Sequence, residues 1–192
     1  MKKLTSTQIT LIVVAAVLLL TIFWVIGSYN GLVKADESVN EKWANVQTAY
    51  QRRADLIPNL VETVKQYSDY EGSVLTEITE ARSSVANAGS PSELAAAGNE
   101  LNSALSRLLV VVENYPNLKA NENYLSLQDE LAGTENRIKT ERDIYNAAVK
   151  AMNIKVRRFP TVIIANMFGF EKAESFEADQ GADTAPDVKD LF

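Results

Sequence analysis

Residues 9–26 read ITLIVVAAVLLLTIFWVI, a run without a charged side chain whose only polar members are Thr10 and Thr21. A bilayer core of about 30 Å is crossed by about 20 apolar residues in a helix. The run is too long for a signal-peptide core of about 7–15 residues. It therefore predicts an uncleaved anchor over residues 9–28, preceded by a short polar N-terminus over residues 1–8. Trp24 and Tyr29 fall where an aromatic belt would lie. Lys2 and Lys3 flank the run more closely than Lys34 and Lys42 do, which favours an extracytoplasmic soluble domain. Gly27 and Gly31 form a GxxxG spacing, read as a flexible exit from the bilayer because they sit outside the apolar surround that helix pairing needs.

The chemistry open to the rest of the chain is limited by the residue types it lacks. With no Cys and no His, disulfides, Cys- or His-ligated zinc and every Ser-His or Cys-His nucleophile pair are excluded. Catalysis would fall to carboxylates, Lys or Tyr, and no pair of these stands out by spacing. A net charge of −6 argues against nucleic acid as a partner. Much of that charge sits at the end, where residues 171–192 carry Lys172 and Lys189 against seven acids. Low apolar content there predicts a disordered acidic tail. Its terminal Leu191-Phe192 reads as a frayed end rather than a peptide ligand.

Eight Gly and five Pro favour long helices over a turn-rich β fold. Apolar residues at steps of three and four mark four segments, at about residues 29–52, 56–86, 91–113 and 121–153. The first stripe includes Leu32, Val39, Trp43, Val46 and Tyr50; the second runs from Leu60 and Val64 to Ile78 and Val85. Pro58 suits the first turn of the second helix, with Asp55 as its cap. Ser90, Pro91 and Glu93 open the third, which carries Leu94, Leu101, Leu105 and Leu108. The fourth stripe holds Tyr124, Leu131, Ile138, Tyr145, Val149 and Met152, with Gln128, Glu135 and Arg142 as polar members. The expected fold is all-α: a transmembrane helix continuing into an antiparallel up-down-up-down four-helix bundle, then a short apolar segment over residues 159–170 and the tail.

That topology would bring the turns at residues 52–57 and 115–120 together at the distal end. Arg52, Arg53, Asp55 and Asn59 would meet Tyr115, Asn117 and Lys119 there, as a partner-binding site or as caps and loop closure. Gln128, Glu135 and Arg142 would form a polar core layer that fixes register. A carboxylate metal site using Glu135 with Glu77 and Glu80 is disfavoured, since bundle di-metal sites use Glu-x-x-His pairs. Lys155, Arg157, Arg158, Phe159, Phe168 and Phe170 would be membrane-proximal. The cations complement the helix dipole while the apolar stretch packs under the bundle; the other reading is contact with the membrane interface.

Five strings are distinctive: Tyr29-Asn-Gly-Leu-Val33, Trp43-Ala-Asn-Val46, Gln51-Arg-Arg-Ala-Asp-Leu-Ile-Pro-Asn-Leu-Val61, Glu113-Asn-Tyr-Pro-Asn-Leu-Lys-Ala120, and Leu127-Gln128 with Tyr145-Asn146. Together, in this order, they closely resemble the LemA family of bacterial membrane proteins over about residues 1–176. The resemblance implies a single-pass protein of the bacterial inner membrane with a helical-bundle domain. It implies no established activity; relatives occur in magnetosome membranes and beside membrane proteases. The acidic tail lies outside the shared pattern.

These readings converge on a membrane-anchored scaffold or adaptor. Its partners would be membrane lipids through residues 9–26, unidentified membrane or envelope proteins, and further copies of itself. No cofactor, metal or catalytic residue is expected. The alternative is a membrane-shaping or coat protein that meets lipid through the end of the fourth helix.

Overall fold

The computed structural model describes residues 5–67 and 73–177. They form six helices and no strand among the described residues: α1 Ser6–Lys65, α2 Ser73–Asn87, α3 Pro91–Val112, α4 Pro116–Lys119, α5 Glu122–Arg157 and α6 Thr161–Phe168. Two compact units share this chain. The first holds the described residues up to Trp43 with Ala147–Ala173; the second holds Ala44–Asn146 with residues 174–177.

In the first unit, the anchor run is the exposed front of α1, with Leu20 and Phe23 both 70% exposed. The helix passes Gly27 and Gly31 without a break. From there Leu32, Ala35 and Val39 turn inward. The end of α5 supplies Val149, Met152 and Val156, and α6 supplies Ile164 and Ala165. Lys155 Nζ donates to the carbonyl of Gly31 at 2.9 Å. Gly169 closes α6 at φ +75°, a left-handed cap that a residue with a Cβ would strain to adopt.

In the second unit, α2 and α3 pack against each other, and an Arg107–Glu77 ion pair at 2.7 Å links them. Ser90 caps α3 by accepting from the Glu93 N–H, while Glu93 Oε2 accepts from the Gly89 N–H at 2.8 Å. The α3 stripe is buried from Leu94 to Val112. Asn121 Oδ1 accepts from the Tyr124 N–H and caps the start of α5.

The expected turn at residues 52–57 does not exist. α1 continues through it to Lys65 with Pro58 inside the helix. Proline removes one backbone hydrogen bond and crowds the preceding turn, at a cost of about 3 kcal/mol. Ile57, Leu60 and Val64 lie on that stretch and are each 1% exposed. Burying an aliphatic side chain of this size is worth about 1.5–3 kcal/mol, so the continuous inward face outweighs the breaker. Asp55 is accordingly no cap: it accepts from Gln51 Nε2 one turn back and faces Arg82 at 3.6 Å. The second helix begins at Ser73 rather than near residue 56.

The tail boundary also moves. Residues 171–177 lack regular structure but are held against α5 rather than loose. In the first unit Asn153 exchanges two hydrogen bonds with the Ala173 backbone, each 2.9 Å. In the second, Phe176 is 5% exposed and packs edge-on against Tyr145. Asn and Tyr side chains on α5 supply the partners that a sequence average over the acidic tail hides. Residues 178–192, with the expected disorder and the Leu191-Phe192 end, lie outside the described residues.

Candidate functional site

The unbroken course of α1 past residue 57 separates the residues of the expected distal cluster. Arg52, Arg53, Asp55 and Asn59 sit mid-helix, Arg53 about 18 Å before the end of α1 at 1.5 Å per residue. Tyr115, Asn117 and Lys119 belong instead to the turn around α4. The true end of α1 meets that turn through Tyr67 Oη, which accepts from Asn121 Nδ2 at 2.8 Å.

Arg53 joins a different set of residues. Its guanidinium is paired with Glu135 on α5, its side chain 11% exposed against 49% for Glu135. Both line a cleft of about 400 Å³ with Gln128, Asn102 and the aliphatic side chains of Leu60, Leu105, Leu109 and Leu131. Two buried polar atoms on this lining have no partner among the described residues: the Nε donor of Arg53 and the Oδ1 acceptor of Asn102. Leu109 is 40% exposed. The cleft therefore combines an aliphatic wall with one donor and one acceptor whose burial is uncompensated.

The expected polar layer is not a layer. Glu135 goes to Arg53, and Gln128 Nε2 donates to Tyr124 Oη at 2.7 Å. Arg142 donates to the Glu177 carbonyl at 3.2 Å and lies over the Phe176 ring at 4.8 Å. The inward polar positions of α5 are Thr134 and Glu141 instead. Thr134 Oγ1 donates to the Leu131 carbonyl, and Glu141 pairs with Arg137 at 2.7 Å. A short, self-satisfied Thr and an ion-paired Glu fit inside, whereas the longer Arg142 reaches out from the stripe edge. Thr134, Glu141 and Arg137 line a second, polar cleft of about 580 Å³ with Arg52, Asn45, Thr48 and Glu130.

Burial raises the Tyr124 phenol above its ordinary value, with the Gln128 hydrogen bond pulling the other way. Burial likewise raises Tyr145, helped by the charge of Glu174. Both are neutral at physiological pH and serve as hydrogen-bonding groups.

In the first unit, Lys155, Arg157, Arg158, Phe159 and Phe168 are exposed, and Phe170 is half-buried. Tyr29 stands edge-on to Phe168 and Phe170, with ring centroids at 4.8 and 5.8 Å. The apolar stretch divides, with Ile164 and Ala165 inward and Phe159, Ile163, Met167 and Phe168 outward.

Sequence reading missed Asn102, Leu109 and Asn153, and gave Asn146 only as part of a distinctive string, without a role. The two α5 asparagines did leave a signal: Asn is a poor helix former, and they lie seven residues apart on one helix face.

The LemA family pattern matches residues 42–189, more than half of the chain. It extends into the acidic tail, which therefore belongs to the shared pattern, contrary to the sequence reading. Magnetosome protein MamQ 2 of Paramagnetospirillum magneticum is 28% identical over 190 residues, covering 85% of this chain and 70% of that protein. MamQ of Magnetospirillum gryphiswaldense is 24% identical over the same length and coverage. Protein LemA of Metamycoplasma hominis is 26% identical over 162 residues, covering 82% of this chain and 73% of the relative. Among the described residues one N-terminal helix is long and apolar enough to cross a membrane and the regular elements are all helices, and with the family pattern matching most of its length this protein belongs to the LemA family.

Proposed function

We propose that this protein is a membrane-anchored helical adaptor that docks a protein segment in the cleft between α1, α3 and α5. Residues 9–26 hold it in the bacterial cell membrane, and the second unit is an antiparallel four-helix bundle on the extracytoplasmic side. It works by binding and placement, not by catalysis. The observation that carries the reading is the cleft lining. The Arg53 Nε donor and the Asn102 Oδ1 acceptor are buried without partners among the described residues, beside Leu60, Leu105, Leu109 and Leu131. A peptide segment with apolar side chains and a free backbone N–H and carbonyl complements that set. Its chemistry is that of a protein partner, which can be an envelope protein or another copy of this chain.

The test is a photo-cross-linking amino acid at Leu109 of the full chain in intact cells, with the exposed Lys139 as reference. A discrete adduct at Leu109, absent at Lys139 and lost on Asn102→Leu, supports the cleft. The same adducts at both positions overturn it.

The coat or membrane-shaping alternative draws support from one separate observation, the outward apolar side chains of α6.

A further inference from the structure

The outer apolar face of α6 is open: Ile163 and Met167 are 50 and 68% exposed, Phe168 keeps 51% exposure beside its Tyr29 contact, and Phe159, just before the helix, is 77% exposed. A four-residue spacing puts Ile163 and Met167 on one side, while Ile164 and Ala165 hold the helix to its own unit at 2 and 0% exposure. A contiguous apolar surface of this kind marks a binding face.

Its position names the occupant. Tyr29 lies three residues after Ile26, the last residue of the anchor run, or about 4.5 Å along the helix axis. Phe168 and Phe170 pack on that same tyrosine, at 4.8 and 5.8 Å. Lys155, at the base of α5, donates to the carbonyl of Gly31 only two residues further on. α6 is thus fixed at the depth where the anchor leaves the hydrocarbon, the level at which aromatic side chains settle. Arg157 and Arg158 precede the apolar face and are exposed, which suits anionic headgroups. A water-soluble partner would need no such depth.

From this geometry we infer that α6 is an interfacial helix, immersed through Phe159, Ile163, Met167 and Phe168 in the bilayer that the anchor crosses. It acts as a second membrane contact that sets how the first unit stands on the lipid surface. The inference rests on residues 9–26 crossing a membrane, and is independent of the cleft.

The chain has no cysteine, so single nitroxide labels report one site each. The full chain is reconstituted into vesicles of phosphatidylcholine with phosphatidylglycerol. Labels go at Ile163→Cys, Met167→Cys, Val17→Cys within the anchor, and Thr140→Cys as an aqueous reference. Oxygen and nickel-chelate accessibilities are then compared. Val17→Cys deep in the bilayer verifies the anchor independently. With the anchor verified, immersion at 163 and 167, together with a several-fold loss of nickel-chelate access relative to Thr140→Cys, supports the inference. Access equal to that reference overturns it. Dipolar broadening between labels at 167 in different chains, without oxygen exposure, also overturns it, because a second copy then covers the face. Substituting Ile163→Asp in the Met167→Cys chain should abolish immersion at 167 while leaving Val17→Cys depth unchanged.

Discussion

Asn146 grips the backbone of Phe176 at both polar groups: its Nδ2 donates to the carbonyl at 3.1 Å, and its Oδ1 accepts from the N–H at 2.9 Å. A single amide side chain thereby satisfies one residue of an irregular segment much as a β-strand partner would. Tyr145 Oη adds a donor to the Glu174 carbonyl at 2.7 Å. Asn146→Ala should destabilise the second unit by about 1–2 kcal/mol, the worth of two such bonds left unmade. Protease cleavage within residues 171–177 should accelerate accordingly. Asn146→Asp keeps the acceptor and loses the donor, so its effect should fall between wild type and alanine.

The Arg53–Glu135 pair is asymmetric in exposure, and its two halves should respond differently to removal. Glu135→Ala strands a buried guanidinium. Breaking a fully buried pair costs about 3–5 kcal/mol, and screening at the half-exposed carboxylate reduces this to about 1–3 kcal/mol. Arg53→Met keeps the aliphatic stem and leaves Glu135 facing water, so it should cost under about 1 kcal/mol. Melting of the purified chain in detergent, followed by circular dichroism, ranks the two; the reverse order would contradict this account.

Gly98 marks a close approach of α3 to α1. A Cβ built there would lie 2.7 Å from Cε1 of Tyr50, itself 4% exposed. Alanine gains about 1 kcal/mol of helix propensity but forces a buried ring to move, which costs about 1–3 kcal/mol. Gly98→Ala should therefore lower the melting temperature by a few degrees. Gly133, whose Cβ would meet nothing within 4 Å, should be stabilised by the same change.

Tyr124 and Tyr145 give stability a defined alkaline limit. Each has its folded-state pKa raised above the ordinary 10.0. Their contribution is fully present below pH 10 and is lost as pH rises through the folded value, because the unfolded chain gives up its protons first. Melting temperature should decline above about pH 10. Tyr145→Phe should be less stable at neutral pH, having lost the Glu174 contact, yet show a shallower alkaline decline. An unchanged slope would place the alkaline sensitivity elsewhere.

Much was legible in the chain itself, and for local reasons. An uncharged 18-residue apolar run is long enough for a membrane-crossing helix, and a helix is what it forms. Ser90-Pro91 with Glu93 opens α3 because those side chains satisfy the N–H groups of their own first turn. The α3 stripe from Leu94 to Val112 is inward because its period matches the helix. The break at Asn114–Asn117 falls where Pro116 ends one run and starts the next.

Other features depend on contacts between elements distant in sequence. Pro58 reads locally as a helix start, and only the burial of Ile57, Leu60 and Val64 keeps α1 running through it. Arg53 and Glu135 are 82 residues apart, so no spacing rule could pair them, or separate Glu135 from Arg142. The acidic tail looked featureless because its first residues are ordered by Asn146 and Asn153, partners that composition cannot see. The sequence by itself determined the long apolar N-terminal helix, the helical class and most of the inward faces, since these follow from periodicity and solvent preference. Only the tertiary structure decided which polar side chains meet, which stay unpartnered and where α1 ends. Those outcomes turn on burial energies of a few kcal/mol between elements that the linear chain keeps apart.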